Sequence, residues 1–522
     1  MGCSSKTKGV SIIGAIAIIL LVSVFTTALL SMFGTSTRTS LDSMRSVHAL
    51  GLAQAGLNWA MENLTESQIW DSSTLDNISD VALGPGSFDV NYIIVNASDT
   101  PFQASSTANS TTATAVNVTV VGKIPGNDGV IIKHTMSQRV FKLPSASKFA
   151  LFWGRNPGAT LTVSNVAING SYWSIGSTTF SSSTVQNGTA YKPTTTTFTG
   201  APANQQNITY PYFSNISTFS STFSTPPINA TFYTDRMNAF NSTIDTCGNR
   251  TADITLTGNL VLSGTLCCRD FRASINNNNR LTISGRGFIV ANRFVSLANV
   301  SKSGTQILNI TPTTGDIVIL ANQSLTINRP TGAGTNIVNI TGTPVNKVYL
   351  YARSATSNAQ SIFVDEESIT NITNAVFLAA TRITVQDNAT IYNSTMFVNS
   401  NSTSATNNAL TVTGVGTVIG NSTSPCNIIS LGRANPSLSI ATSSNMSGFI
   451  YQWDSGNTGT TSIAGTSSAA RVIITGTLIA NQFTGNLISN AVITYNASVI
   501  PDPPPERFDG FATKDPDSWS GL

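Results

Sequence analysis

From Val10 to Phe33 the chain carries no charged residue, and most positions are apolar. A run of that length suffices for a membrane-spanning helix, which takes roughly 20 residues. Beyond it, Leu41, Met44, Val47, Leu50, Ala53, Leu57, Ala60 and Leu64 recur every three or four residues, the spacing of one helical face. No proline interrupts the stretch. The pattern predicts one long helix, apolar all round over 10–33 and amphipathic over 34–64. Between 83 and 143 the period changes to two. Phe88, Val90, Tyr92 and Ile94 alternate, then Val116, Val118 and Val120, then Ile132, His134, Met136, Gln138 and Val140. "PGNDG" at 125–129 reads as the turn joining the last two runs. A small antiparallel sheet is expected over 65–145. His134 reads as a strand residue facing its neighbours rather than a catalytic base.

From 146 to 500 the texture is different. A Thr-, Pro- and Asn-rich stretch near 190–246 reads as a loop insertion, and no amphipathic helix stands out. Short apolar runs then recur: "GFIVANRFVSL" (287–297), "DIVILANQSLTI" (316–327), "VYLYARSA" (348–355), "AVFLAATRITV" (375–385) and "GTLIANQF" (476–483). Ala291, Ala321, Ala352 and Ala379 are spaced by about thirty residues, a period typical of solenoids. One such unit cannot bury its apolar side alone, whereas stacked units bury it against each other. The fold class expected is mainly β: a transmembrane helix, a small antiparallel sheet, then a parallel β-helix, with a β-sandwich as the alternative. The Pro-rich tail at 501–522 ends the pairing, because proline cannot donate to a ladder.

Charge placement orients the apolar helix. Lys6 and Lys8 precede it, which keeps the short N-terminus cytoplasmic and exports the rest, the topology of a single-pass protein of the inner (cytoplasmic) membrane. A removable secretion signal would have a shorter core and a small-residue cleavage site. Lys6 occupies the position where N-myristoylation wants Ser or Thr. Cys3 has no apolar run before it, so a lipoprotein signal fits poorly.

Lys8-Gly9 directly before an apolar helix with an amphipathic extension resembles a type IV pilin leader and stalk. "LAQAGLNWA" (52–60) is similar to the A-x-A-G-L-like stretch of PilX-like minor pilins. The resemblance covers the N-terminal helix. It implies a leader at 1–9, cleavage by a prepilin peptidase between Gly9 and Val10, and packing of the helix against other pilin subunits. Most major pilins carry glutamate at the fifth mature position, where this chain has Gly14. A carboxylate inside the bilayer is costly without a partner, and minor subunits often lack it. The large β-rich region, with its closing "AVITYNASVIPDPPPERF", resembles the region that succeeds such N-termini in some large envelope proteins. The function implied is an exported minor subunit of a pilus or related filament, acting in assembly, adhesion or surface contact, at the membrane and then at the cell surface. A surface glycan or a protein would be the ligand. A single-span adhesin or stalk outside any filament is the second reading.

Composition removes some alternatives. Charged residues are 10% of 522 and the net charge is +3, with no basic stripe for nucleic acid. Apolar residues are 40%, too many for a disordered tail. β-helices also host polysaccharide-processing enzymes, the third reading. The densest acidic cluster, Asp365-Glu366-Glu367, has no partner on neighbouring units and reads as a solvated turn. No G-x-S-x-G, P-loop or H-E-x-x-H is present, so no enzyme is expected and no cofactor is implied. Zinc is not expected either, since His48 and His134 lie far from the cysteines. Apart from Cys3, the cysteines are Cys247, Cys267, Cys268 and Cys426, which export would place in an oxidising compartment. Vicinal Cys267 and Cys268 rarely bridge each other, so one of them is expected to pair with Cys247. The alternative is that some are buried free thiols. Asn-x-Ser/Thr sequons are frequent, and Asn169, Asn309, Asn371 and Asn393 are candidate glycosylation sites.

Overall fold

A computed structural model describes residues 7–66, 75–94, 115–126, 129–142, 149–154, 159–193, 196–200, 205–208, 230–274, 280–298, 305–327, 335–353, 361–364, 369–400, 409–453, 459–500 and 512–514. The chain forms two compact units, and the second, Pro144–Phe511, is inserted into the first.

The first unit begins with helix α1, Thr7–Glu66, a single uninterrupted element of 60 residues. It continues with strands β1 (Ile78–Leu83), β2 (Gly86–Ile94), β3 (Ala115–Pro125) and β4 (Ile131–Lys142), paired antiparallel in that order. The period-two residues are those that turn inward. Phe88, Val90, Val116, Val118, Val120, Met136 and Val140 are all buried. The chain comes back to this sheet after the insertion. Ala512–Lys514 pairs antiparallel with β4 as a fifth strand, so the expected Pro-rich tail contributes to the sheet. Residues 501–511, with the proline run, lie outside the described residues.

The second unit is a parallel β-solenoid with three sheets. Its clearest internal feature is a column of mostly isoleucine on one sheet. Ile283, Ile310, Ile340, Ile372, Ile391 and Ile419 stack in register on successive rungs. The column runs on through Met446, Ile474, Ile493 and Ile168. Another sheet stacks Ala291, Ala321, Ala352 and Ala379 in register, the alanines of the thirty-residue period. Its strands "VYLYA" and "AVFLA" are buried at every position. A strand covered on both faces reads as a continuous apolar run rather than an alternating one. Several corners are asparagines in the left-handed region, among them Asn165, Asn374, Asn388 and Asn393, with φ between 49° and 59°. Asparagine tolerates that conformation better than most residues, which accounts for part of its abundance.

The order of rungs in space differs from the order in sequence. Leu151–Trp153 pairs with Leu478–Ala480 on one side and Tyr172–Ser174 on the other. Residues 151–208 therefore build rungs that stack beyond the last rung of residues 472–494. The chain must then return to the opposite end before residue 254. Helix α2, Thr231–Cys247, belongs to this return. It corrects the sequence reading of 190–246 as a loop insertion without a helix. Strands at Ala190–Pro193, Phe198–Thr199 and Gln205–Ile208 fill the earlier part.

Helix α2 lies against the outer face of the doubly covered sheet. Tyr233, Met237, Phe240 and Ile244 are its buried side chains. Tyr233 stacks on Phe397 at 4.7 Å, and Phe240 meets Tyr349 and Tyr351 at 5.9 and 5.7 Å. The Asn241 side-chain carbonyl accepts from Tyr351 Oη at 2.7 Å, and Arg353 reaches Asp245 at 2.6 Å. From Tyr233 to Cys247 the helix rises about 21 Å. The rungs it crosses, from Phe397 through Leu378, Tyr351, Leu320 and Val290 to Cys267, span about 24 Å at strand spacing. The two lengths agree within the reach of a side chain.

Candidate functional site: an exposed apolar helix

Helix α1 divides by environment. Between Ile12 and Phe33 its large apolar side chains are exposed on every side, Ile13 by 71% and Phe33 by 68%. The helix is long and apolar enough to cross a membrane, with a mean hydropathy of 2.7 over an 18-residue stretch. From Val10 to Phe33 it rises about 36 Å, against a hydrocarbon core of about 30 Å. Its hydroxyls bond back to the helix. Ser23 donates to the Leu20 carbonyl, Thr26 to Val22 and Thr27 to Ser23 at 2.8, 2.7 and 2.6 Å. Hydroxyls satisfied inside the helix need no water.

The second half packs on the sheet of the first unit. Ala49, Ala53, Leu57, Ala60 and Leu64 are buried against β2, β3 and β4. Two glycines set the closeness of that contact. A Cβ on Gly56 would lie 2.6 Å from Val120 and 2.7 Å from Phe88. A Cβ on Gly122 would lie 2.0 Å from the Ala49 carbonyl oxygen. Gly56 is the glycine of "LAQAGLNWA", so that motif has a local physical role. His134 sits on β4 with its Nε2 2.6 Å from Ser46 Oγ, a contact between strand and helix. Asn63 donates to Tyr92 Oη at 3.3 Å. Lys123 bridges Asp80 and Asp89 across the strands, and its ammonium holds the Asp80 carboxyl below its usual range.

The predicted amphipathic stripe needs correction at its start. Leu41, Met44 and Val47 are exposed by 39%, 54% and 65%. The sheet reaches the helix only from about Ser46 onward, so nothing in the first unit covers these three among the described residues. Exposed apolar surface thus extends beyond the length of a membrane span. Gly9 and Val10 lie in the first turns of α1. A Cβ on Gly14 would meet nothing within 4 Å. Cys3 and Lys6 lie outside the described residues, as does the acidic cluster 365–367.

Among the described residues, the cysteines resolve into one bridge and two buried thiols. Cys247, at the end of α2, is bonded to Cys267 on the first rungs, with Cα atoms 5.7 Å apart. Cys268, the alternative partner, turns into the solenoid interior and is 1% exposed. Adjacent strand residues face opposite ways, and only Cys267 faces the helix. Burial pushes the thiols of Cys268 and Cys426 up to about 12.

The glycosylation candidates separate in the same way. Asn169 donates its amide to Thr494 Oγ1 at 3.2 Å. Asn309 accepts from Asn339, and Asn371 donates to Asn339, both at 3.0 Å. Three of the four side chains are thus tied to the next rung, whereas Asn393 is exposed at a left-handed corner. Sequence reading missed the alignment of Asn309, Asn339 and Asn371. The repeated I-x-N-x-T spacing was the signal that could have shown it.

No family model, curated protein or solved structure matches this chain.

Proposed function

We propose that this protein is a pilin-like minor subunit, anchored by α1 and carrying the solenoid as an exported head. The observation that carries the reading is the continuous helix, apolar and uncovered for more than its first half, then clamped to a small antiparallel sheet. A plain membrane anchor needs only the span. The exposed Leu41, Met44 and Val47 extend the apolar surface into the region where neighbouring stalks would pack. A prepilin peptidase would cut between Gly9 and Val10, and the partners would be other pilin subunits. The insertion of the solenoid between β4 and the closing strand leaves the stalk and sheet pairing intact.

Packed helices approach to roughly 8–10 Å. A compact unit of about 370 residues has a radius of gyration near 21 Å. Heads of that size would crowd around every step of a thin stack of stalks. Gly14 in place of the carboxylate agrees with a subunit that has no neighbour above it. The position is therefore sparse or at a tip. Immunogold labelling of sheared filaments with antibody to residues 250–500 tests this. Label at one end is expected. Regular label along the shaft would overturn the position, and label confined to the cell envelope would favour a surface adhesin outside any filament.

A further inference from the structure

Three consecutive rungs repeat I-x-N-x-T: Ile307 to Thr311, Ile337 to Thr341 and Ile369 to Thr373. Ile307, Ile337 and Ile369 stand in register, and so do Asn309, Asn339 and Asn371. Thr341 pairs with Thr373, and Thr311 directly follows the Ile310–Ile340 pair. The residues between them, such as Leu308 and Ile310, are fully buried. Side chains on a strand alternate, so the three columns face outward. Thr311, Thr341 and Asn371 are exposed, and Ile369 is 47% exposed. The result is an uncharged strip with one apolar, one amide and one hydroxyl column. Its repeat is about 4.8 Å along the solenoid and about 6.7 Å along the strands. Arg280, in register with Ile307, stands at one end of the apolar column.

The strip is held in place before any ligand arrives. The Asn339 carbonyl accepts from Asn371, and its amide donates to Asn309. Each amide group offers two donors and two acceptor sites, so ladder members retain capacity for an outside partner. The threonines are stiff at χ1. Little side-chain freedom is left to lose on binding.

We propose that this strip binds a neutral linear polysaccharide lying along the solenoid axis. Among the described residues the three columns carry no charge, which matches an uncharged partner. The amide and hydroxyl columns match sugar hydroxyls, and the isoleucine column matches the C–H faces of pyranose rings. A polymer whose units advance by about one rung, about 4.8 Å, meets the same three side chains at each step. A protein strand could not dock by backbone pairing, since the strands of residues 305–310 and 335–340 are paired on both sides. The strip belongs to the second unit and α1 to the first, so this proposal and the filament reading stand or fall separately.

The test uses the full chain in detergent micelles, with cellohexaose, chitohexaose and mannohexaose as neutral probes and oligogalacturonate as a charged one. Thr341→Glu places charge and bulk on the central rung without touching the core. Thr326→Glu does the same on another sheet of the same rungs and serves as control. Calorimetry is expected to show binding of at least one neutral probe, weakened at least tenfold by Thr341→Glu and unchanged by Thr326→Glu, with equal thermal midpoints. No binding of any neutral probe, equal binding by Thr341→Glu, or binding only of the charged probe would overturn the proposal.

Discussion

The bridge between α2 and the first rungs offers a quantitative test of how the solenoid is strapped. The perturbation is the double substitution Cys247→Ser/Cys267→Ser, which removes both partners of the bridge and so orphans neither. The bridge joins residues 20 apart in sequence. Chain entropy assigns a loop of that length about 3 kcal/mol. The bridge is not the only hold on the helix. Tyr233, Phe240, the Tyr351–Asn241 hydrogen bond and the Arg353–Asp245 pair remain. A solenoid responds to such a change near the rung affected, because each rung contacts only its neighbours. The expected outcome is therefore faster amide exchange at 243–247 and 254–268, with protection kept around 377–397. The midpoint of the thermal transition reporting on that end should fall by several degrees. Hydrogen exchange with mass spectrometry on the full chain, alongside non-reduced peptide mapping, reads both effects. Unchanged exchange at 254–268, or a peptide map linking Cys247 to Cys268, would refute the reasoning.

Gly122→Ala should destabilise the first unit by about 1–3 kcal/mol, because the added methyl overlaps the Ala49 carbonyl; denaturant unfolding followed by near-ultraviolet circular dichroism checks this. Native Cys268 and Cys426 should resist iodoacetamide at pH 8 and react after unfolding without reductant, as counted by mass spectrometry. Their folded pKa values are raised to about 12 and the unfolded ones lie near about 8.5. The stabilisation is thus full below about pH 8.5 and is lost as pH rises toward 12, and Cys426→Ala should blunt that alkaline loss in a pH series of thermal midpoints. Expressed in a host that glycosylates sequons, the folded protein should carry glycan at Asn393 and none at Asn309 or Asn169, as read by glycopeptide mapping.

The sheet, the solenoid and the long helix were legible because each rests on local periodicity. Alternation at Val116, Val118 and Val120 and the recurrence of Ala291, Ala321, Ala352 and Ala379 both report burial directly. Helix α2 was hidden by composition. Four of its 17 residues are threonine and two are asparagine, and a Pro- and Asn-rich stretch precedes it. Yet Tyr233, Met237, Phe240, Ile244 and Cys247 keep a four-three spacing that marks one face. The displaced order of rungs could not be read at all. Which rung stacks on residues 472–494 depends on pairing between segments more than 300 residues apart, and no local pattern encodes that choice. The choice of Cys267 over Cys268 was likewise invisible without knowing which face of the strand α2 covers.

The central claim is that α1 begins as a pilin stalk rather than as a plain anchor, and the amino terminus of the mature protein reports on it most directly. Edman sequencing or terminal-peptide mass spectrometry of the protein from its native envelope should give Val10 as the first residue, with Gly9→Leu blocking that processing. A mature chain that begins at Met1 or Gly2, or Gly9→Leu protein processed like wild type, would contradict the account.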